Sequence, residues 1–433
     1  MGWNSWDCFA TTVTEDQAKF TADYMAENLA SHGWEYVVVD IQWYQPSAAD
    51  FGYKEGAELA MDAYGRLQPA VNRFPSSAGG KGFKALADYV HSKGLKFGVH
   101  LMRGIPRKAV EKNLPVLGTK VRAADIADKN RPCAWNPDMW GVDMKKPGAQ
   151  EYYNSVFALL AEWGVDYVKV DDISRPYHDN EPEIEAVRKA IDATGRPIVL
   201  SLSPGETAIT AASHVTTHAN LWRISDDFWD SYGALYDQFA RLEKWNAVRT
   251  PGAWPDADML PLGTLALGSR KTNFTPDEQI ALMTLWSIAK SPLMFGGDMA
   301  KMDDFTLSLL TNDAVLAVNQ KSTANRPLFA HDGWIAWAAK DAEGKATYLA
   351  LFNAPEPTEK EKEAAKAYGA NVKIDAADML PPRTLVVPLS ELDLAAASSA
   401  TDLWTGETVA VKDGALTLTV PHHGARLIRL AAE

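Results

Sequence analysis

The run Tyr167-Val168-Lys169-Val170-Asp171-Asp172 sets a lysine and a carboxylate two residues apart at the end of a strand-like stretch. Side chains alternate along a strand, so Lys169 and Asp171 share one face while Val168 and Val170 take the other. A charged pair there has no place in an apolar core, but it suits the mouth of a parallel barrel. A second run, Leu221-Trp222-Arg223-Ile224-Ser225-Asp226-Asp227, carries Arg223, Ser225 and Asp227 at every second position. Parity favours Asp171 over Asp172 and Asp227 over Asp226. Two carboxylates facing each other across such a mouth suit glycoside hydrolysis. One attacks the anomeric carbon; the other protonates the leaving oxygen and later activates water. Lys169 would keep Asp171 ionised as the nucleophile, because a neighbouring cation lowers a carboxyl pKa.

Other strand ends carry polar residues of the same parity: Asp40 and Gln42, His100, and Ser201 with Ser203. Their convergence on one mouth is the argument, since each alone would be weak. His100 by itself reads as an interior histidine. Trp3, Trp6 and Trp43 suit either packing or stacking on a sugar ring, and the sequence leaves both open.

The chain lacks His-Glu-x-x-His, a Walker loop and a Gly-x-Ser-x-Gly elbow, so zinc hydrolysis, phosphate cradling and serine acyl transfer lose their usual supports. No metal and no cofactor is expected. A net charge of −13 argues against a nucleic-acid partner. No apolar run approaches a membrane span. Cys8 and Cys133 admit one bridge or two reduced thiols. The opening Met1-Gly2-Trp3-Asn4-Ser5-Trp6 shows no signal peptide, so we expect either an exported protein whose leader has been removed, periplasmic or secreted, or a cytoplasmic one. From another class, a metal-dependent barrel lyase or isomerase would use Asp40, Asp171 and Asp227 as Mg²⁺ ligands and Lys169 as base. A carbohydrate-binding protein without catalysis is a third reading, weakened by the presence of both aspartates.

These residues need elements to hold them. Helical and strand-like segments alternate over the first three quarters of the chain. Helices are expected at 14–32 (Thr14/Gln17 capping box, stop at Gly33), 82–93, 147–163, 181–194, from Thr275 with Pro276 and Glu278, and at 304–320. Strands are expected at Gly2–Trp6, Tyr36–Asp40, Lys96–Leu101, Tyr167–Asp172, Pro197–Ser203, Leu221–Ser225, near Trp254, and at Pro292–Phe295. About eight strands in this alternation give an α/β chain built as a (β/α)₈ TIM barrel over 1–322. Beyond it, short strands without intervening helices, such as 346–352 and 415–420, predict a C-terminal antiparallel β-sandwich over 323–433, interrupted by a Glu/Lys/Ala-rich piece at 356–367.

Taken in order, MGWNSW at 1–6, YVVVD at 36–40, YVKVDD at 167–172, LWRISDD at 221–227 and WPDADML at 254–260 resemble glycoside hydrolase family 27, the α-galactosidases and α-N-acetylgalactosaminidases. The resemblance spans both inferred domains. It implies a retaining exo-glycosidase acting on terminal α-galactoside-type linkages of a small or oligosaccharide substrate by double displacement. Asp171 matches the nucleophile and Asp227 the acid/base. Lys169 and Arg223 match residues binding sugar hydroxyls, Trp3 the aromatic platform, and Asp40 the first of two adjacent hydroxyl-binding aspartates. Asp258 and Met259 match the pair closing the far side of the sugar, and Trp43, His100 and Ser203 join the expected binding set.

The departures point to the substrate. Ile41 stands where the second aspartate belongs, at the O4/O6 edge. His100 replaces a tyrosine of many members, and Asp172-Ile173 replaces a cysteine, so the usual disulfide cannot form there. Ser203-Pro204-Gly205 stands where galactosidases often place a bulky pair near O2; the serine resembles the N-acetylgalactosaminidase branch. The insert 103–146 has no clear counterpart. The alternatives to an α-galactoside are therefore an α-N-acetylgalactosaminide, from Ser203, and a β-L-arabinopyranoside, whose missing 6-hydroxyl would tolerate Ile41.

Overall fold

The computed structural model describes residues 1–372, 379–394, 396–397 and 399–431. The short β-branched runs form eight parallel strands: β1 (Gly2–Asn4), β2 (Tyr36–Val39), β3 (Lys96–Met102), β4 (Tyr167–Asp171), β5 (Val199–Leu202), β6 (Leu221–Arg223), β7 (Trp254–Asp256) and β8 (Met294–Phe295). They pair in the order β7-β6-β5-β4-β3-β2-β1-β8. Leu260, just past β7, pairs in parallel with Phe295 and joins the two edges of this curled sheet. Its N–H donates to the Met294 carbonyl at 2.8 Å, and its carbonyl accepts from the Gly296 N–H at 3.0 Å. Val38, Tyr167, Leu221 and Met294, one from each even-numbered strand, fill the interior together as one apolar layer.

Helices cover the outside. The Thr14/Gln17 capping box opens the helix Glu15–Asn28, and Thr275/Glu278 with Pro276 opens Pro276–Ala289. Two expected helices differ. The stretch 304–320 is two helices, Asp304–Leu310 and Asp313–Lys321, because the Asn312 side chain turns back to accept from the Val315 N–H and starts a new helix. The helix expected from 181 begins at Tyr177 and carries Pro182 inside it, where proline removes one backbone donor without ending the helix.

The insert after β3 builds a platform of its own. Strands Ile105–Pro106, Met139–Val142 and Ala127–Asp128 form a small antiparallel sheet. Gly104 makes the turn into it at φ +98°, with the Trp140 carbonyl only 1.9 Å from where a Cβ would sit. Cys8 and Cys133 are both buried and unbridged.

The C-terminal part contains a five-stranded sheet (Thr323–His331, Trp334–Lys340, Ala346–Asn353, Ala425–Ala431, Ser399–Asp402) and a three-stranded one (Arg383–Pro388, Ala415–Val420, Val411–Lys412). All pairings within them are antiparallel. Leu349, Leu351, Leu416, Leu418, Ile428 and Leu430 form the core between the sheets. Alternate residues of the larger sheet, including Trp337, Phe352 and Leu427, join the barrel's core instead. The charged piece around 356–367 contains a helix, Glu359–Ala365, opened by a Thr358/Glu361 capping box.

Candidate active site

The carboxyl ends of the strands surround a cavity of about 660 Å³. Asp40, Ile41, Lys169, Asp171, Asp172, Asp226 and Asp227 line it. Four sequence-identified residues therefore meet in one space: Asp40, Lys169, Asp171 and Asp227.

Asp171 ends β4 and is buried. His100, opposite Lys169 on neighbouring β3, holds the Asp171 Oδ2 through Nε2 at 2.6 Å. Burial pushes the Asp171 carboxyl up, but the Lys169 ammonium and the His100 imidazole outweigh it and hold the group well below the usual carboxylate range. Lys169 Nζ bonds Asp40 Oδ2 at 3.0 Å, and the same oxygen accepts from Asn4 Nδ2 at 2.7 Å. Burial favours the neutral amine of Lys169; Asp40 and Asp171 overcome it and raise its pKa. A Lys169 held in its charged form by Asp40 and Asp171 is a poor general base, which weighs against the lyase reading. Among the described residues, the groups close enough to share an ion with Asp171 are the Asp40 carboxylate and the His100 imidazole, without Asp227.

The other side is built on Arg223, which is buried at the end of β6. Its Nη2 lies 3.3 Å from Asp227 Oδ1 and 2.7 Å from Asp258 Oδ2, and donates to the Asp226 carbonyl at 2.6 Å. Asp258 also accepts from the Phe228 N–H at 2.8 Å, so it fixes the loop carrying Asp227. Asp227 stands in the open, its side chain 45% exposed. Asp226 beside it pairs with Arg175 at 2.7 Å, and both line the cavity.

Several expected binding residues lie behind the cavity wall. Trp43 is fully enclosed by Tyr44, Phe83 and Trp163, and its Nε1–H donates to the His100 carbonyl at 2.8 Å. Trp3 is equally enclosed, packs edge-on to Phe9 and donates to the Gly297 carbonyl. Both are core tryptophans here. Met259 packs with the interior layer under the site. Ser203 is buried, its hydroxyl 3.5 Å from Arg223 Nη1, and Pro204 and Gly205 line the cavity in its stead.

The aromatic wall comes from elsewhere. Trp6, Phe51, Tyr53, Trp135 and Tyr368 line the cavity. Trp6 stacks parallel to Tyr53 with centroids 6.4 Å apart, and Tyr53 leans on Trp135 at 5.5 Å. Trp6 shares a motif with Trp3, but Trp3 lies on β1 while Trp6, three residues on, opens the short helix Trp6–Phe9, and only Trp6 lines the cavity. Phe51, Tyr53, Trp135 and Tyr368 sit on loops where no periodicity marks them. Arg103 starts the insert, pairs with Asp172 at 2.7 Å and Glu183 at 2.9 Å, and so braces the residue after Asp171.

The chain matches the family described as alpha galactosidase A over residues 1–110 and 133–321, and the alpha galactosidase C-terminal beta sandwich domain over 331–430. The unmatched stretch lies in the insert. A family 27 β-L-arabinopyranosidase from Geobacillus stearothermophilus is similar at 48% identity and TM-score 0.92, over 100% of this chain and 95% of that one. A structure described as a putative α-N-acetylgalactosaminidase from Bacillus halodurans C-125 is similar at 43% identity and TM-score 0.85, over 100% and 97%. An α-galactosidase from Cyamopsis tetragonoloba is 31% identical over 324 residues, 74% of this chain and 64% of that protein, so the chain spans about two thirds of its length. The fold, the clustered carboxylates and these likenesses agree: the chain belongs to the melibiase family of glycoside hydrolases, family 27.

Proposed function

We propose that this glycosidase acts with retention on terminal β-L-arabinopyranosides in preference to α-D-galactosides, with Asp171 as nucleophile and Asp227 as acid/base. The two sugars share ring configuration; the arabinoside has hydrogen where the galactoside carries its hydroxymethyl group. The observation that carries the preference is Ile41, buried in the cavity wall beside Asp40. An isoleucine offers no partner to a 6-hydroxyl, and burying a hydroxyl unpaired costs roughly 1–3 kcal/mol. The likeness to an arabinopyranosidase at 48% identity supports the same sugar. Ser203, the motive for an N-acetylgalactosaminide, is buried with its hydroxyl engaged by Asp171 and Arg223.

In the first step the Asp171 carboxylate attacks the anomeric carbon while Asp227 gives its proton to the departing oxygen. The glycosidic C–O bond breaks and an ester to Asp171 forms. In the second, Asp227 takes a proton from water, whose oxygen attacks the same carbon and frees Asp171. His100 fixes the orientation of the attacking carboxylate and Lys169 holds its charge.

The test is kcat/KM on p-nitrophenyl glycosides. We expect the β-L-arabinopyranoside to exceed the α-D-galactopyranoside by roughly 10–100-fold, and Ile41→Asp to move the ratio towards the galactoside. Equal or better cleavage of the galactoside by the unaltered enzyme would refute the preference.

A further inference from the structure

Outside the cavity, two helices of the barrel's outer layer bring together Glu185, His214 and His218. Glu185 lies on Tyr177–Ala193, which follows the Asp171 strand; both histidines lie on Ala212–His218, which follows β5. One ligand atom from each of the three falls within 4.8 Å of the others. We infer that these side chains form a site for a divalent transition-metal ion such as Zn²⁺, which clips the two helices together.

The spacing is the first argument. Histidines four apart lie on one face of a helix, a turn from each other. Here their rings stack with centroids 4.1 Å apart. Glu185 Oε1 lies 3.2 Å from His214 Nε2, close to the separation of two ligands around a tetrahedral ion with bonds of about 2.0–2.2 Å.

The second argument is how the rings are held. His218 Nδ1 lies 2.8 Å from the His214 carbonyl. A carbonyl only accepts, so the proton sits on Nδ1 and His218 Nε2 presents a lone pair. His214 Nδ1 lies 2.8 Å from the Tyr177 hydroxyl. With a metal on Nε2, the neutral ring carries its proton on Nδ1 and donates it to the tyrosine oxygen. Metal-binding histidines are oriented in this way by a partner on the second nitrogen. Two imidazoles and one carboxylate suit Zn²⁺, Cu²⁺ or Ni²⁺ rather than Mg²⁺ or Ca²⁺, and water would complete four-coordination.

The placement gives the ion a structural role. The helix carrying Glu185 begins with Tyr177, next to Arg175 and Pro176, which line the cavity. The segment leading to the histidine helix begins with Pro204 and Gly205, which line it too. A clip behind these two segments would steady one wall of the cavity without touching Asp171 or Asp227.

The test uses the full chain without an affinity tag, freed of metal by chelation and titrated with ZnCl₂ by calorimetry. We expect one ion per chain with a Kd on the order of micromolar, weakened about 10–100-fold in His218→Ala or Glu185→Gln and abolished in His214→Ala/His218→Ala. Saturating zinc should raise Tm by about 2–5 °C in the unaltered protein and not in the double variant, while MgCl₂ does nothing. One equivalent of zinc should leave kcat/KM within about twofold, since the site contains no reacting group. Absence of binding below about 100 μM would overturn the proposal. So would binding that survives the double substitution or that inhibits turnover, since that places the ion at Asp40, His100 and Asp171.

Discussion

Lys169 decides the charge state of the proposed nucleophile. Removing it in Lys169→Met takes away the largest pull against burial and leaves His100 and the Ser203 hydroxyl to oppose the upward push on Asp171. The variant should lose about 10²–10³-fold in kcat/KM, and the acid limb of its pH–rate profile should move to higher pH, because the carboxylate then ionises later. An unshifted acid limb would show that Lys169 does not set the Asp171 charge. A different carboxylate governs a stability effect. Asp256 at the end of β7 is pushed up to about 6, chiefly by burial, against the opposing pull of Arg223. Its folded pKa exceeds its unfolded one, so the folded state binds the proton more tightly. Stability from this group is full below about pH 4, falls as pH rises through 6, and is lower by about 3 kcal/mol above it. Asp256→Asn keeps the oxygen that accepts from the Asp258 N–H and removes the charge. It should therefore shrink the fall in Tm between pH 5 and pH 8, measured by thermal denaturation. An undiminished fall would place the titration elsewhere. At this scale strand position was a sound guide, since Lys169, Asp171 and Asp227 all meet one cavity, but parity did not separate the paired aspartates: Asp172 and Asp226 line it too. Trp43, which the sequence left open between packing and stacking, lies in the turn after β2, where alternation no longer fixes direction, and its ring is enclosed in the apolar interior.

At the scale of elements, the helix Pro276–Ala289 joins the two halves. Glu278 accepts from the Thr275 N–H at 2.9 Å through Oε2 and bonds His423 Nδ1 at 2.9 Å through Oε1, with both residues buried. The His423 ring in turn stacks on Tyr232 at 3.3 Å. Glu278→Ala removes half of a capping box and strands a buried histidine, so it should cost roughly 2–4 kcal/mol in urea unfolding; a cost under about 1 kcal/mol would show that the His423 contact contributes little. The cap itself was readable from Thr275, Pro276 and Glu278, because capping is local chemistry. Its second use was not, since His423 lies far along the chain. The break at Asn312 was also written locally, but the apolar periodicity continues across it and masks it.

Across the whole molecule, the larger C-terminal sheet packs on the barrel, and Trp404 Nε1–H reaches Thr284 Oγ1 at 2.9 Å. The C-terminal half also reaches the active site. Arg270 Nη2 donates to the Gly369 carbonyl at 2.8 Å, and adjacent Tyr368 lines the cavity. Alternation of helices and strands revealed the barrel, and their later absence revealed the sandwich, because both are periodic. The cavity's outer wall is assembled from loops 51–53, 130–135 and 368, which no period relates, so its shape emerges only once the chain is folded. That wall leaves Asp227 exposed, as the acid/base of the proposed double displacement must be to meet water. The most direct check is ¹H NMR of the first turnovers on p-nitrophenyl β-L-arabinopyranoside, before mutarotation mixes the anomers. The account predicts β-L-arabinopyranose as the initial product; the α-L anomer appearing first would mean single displacement and contradict Asp171 as a nucleophile.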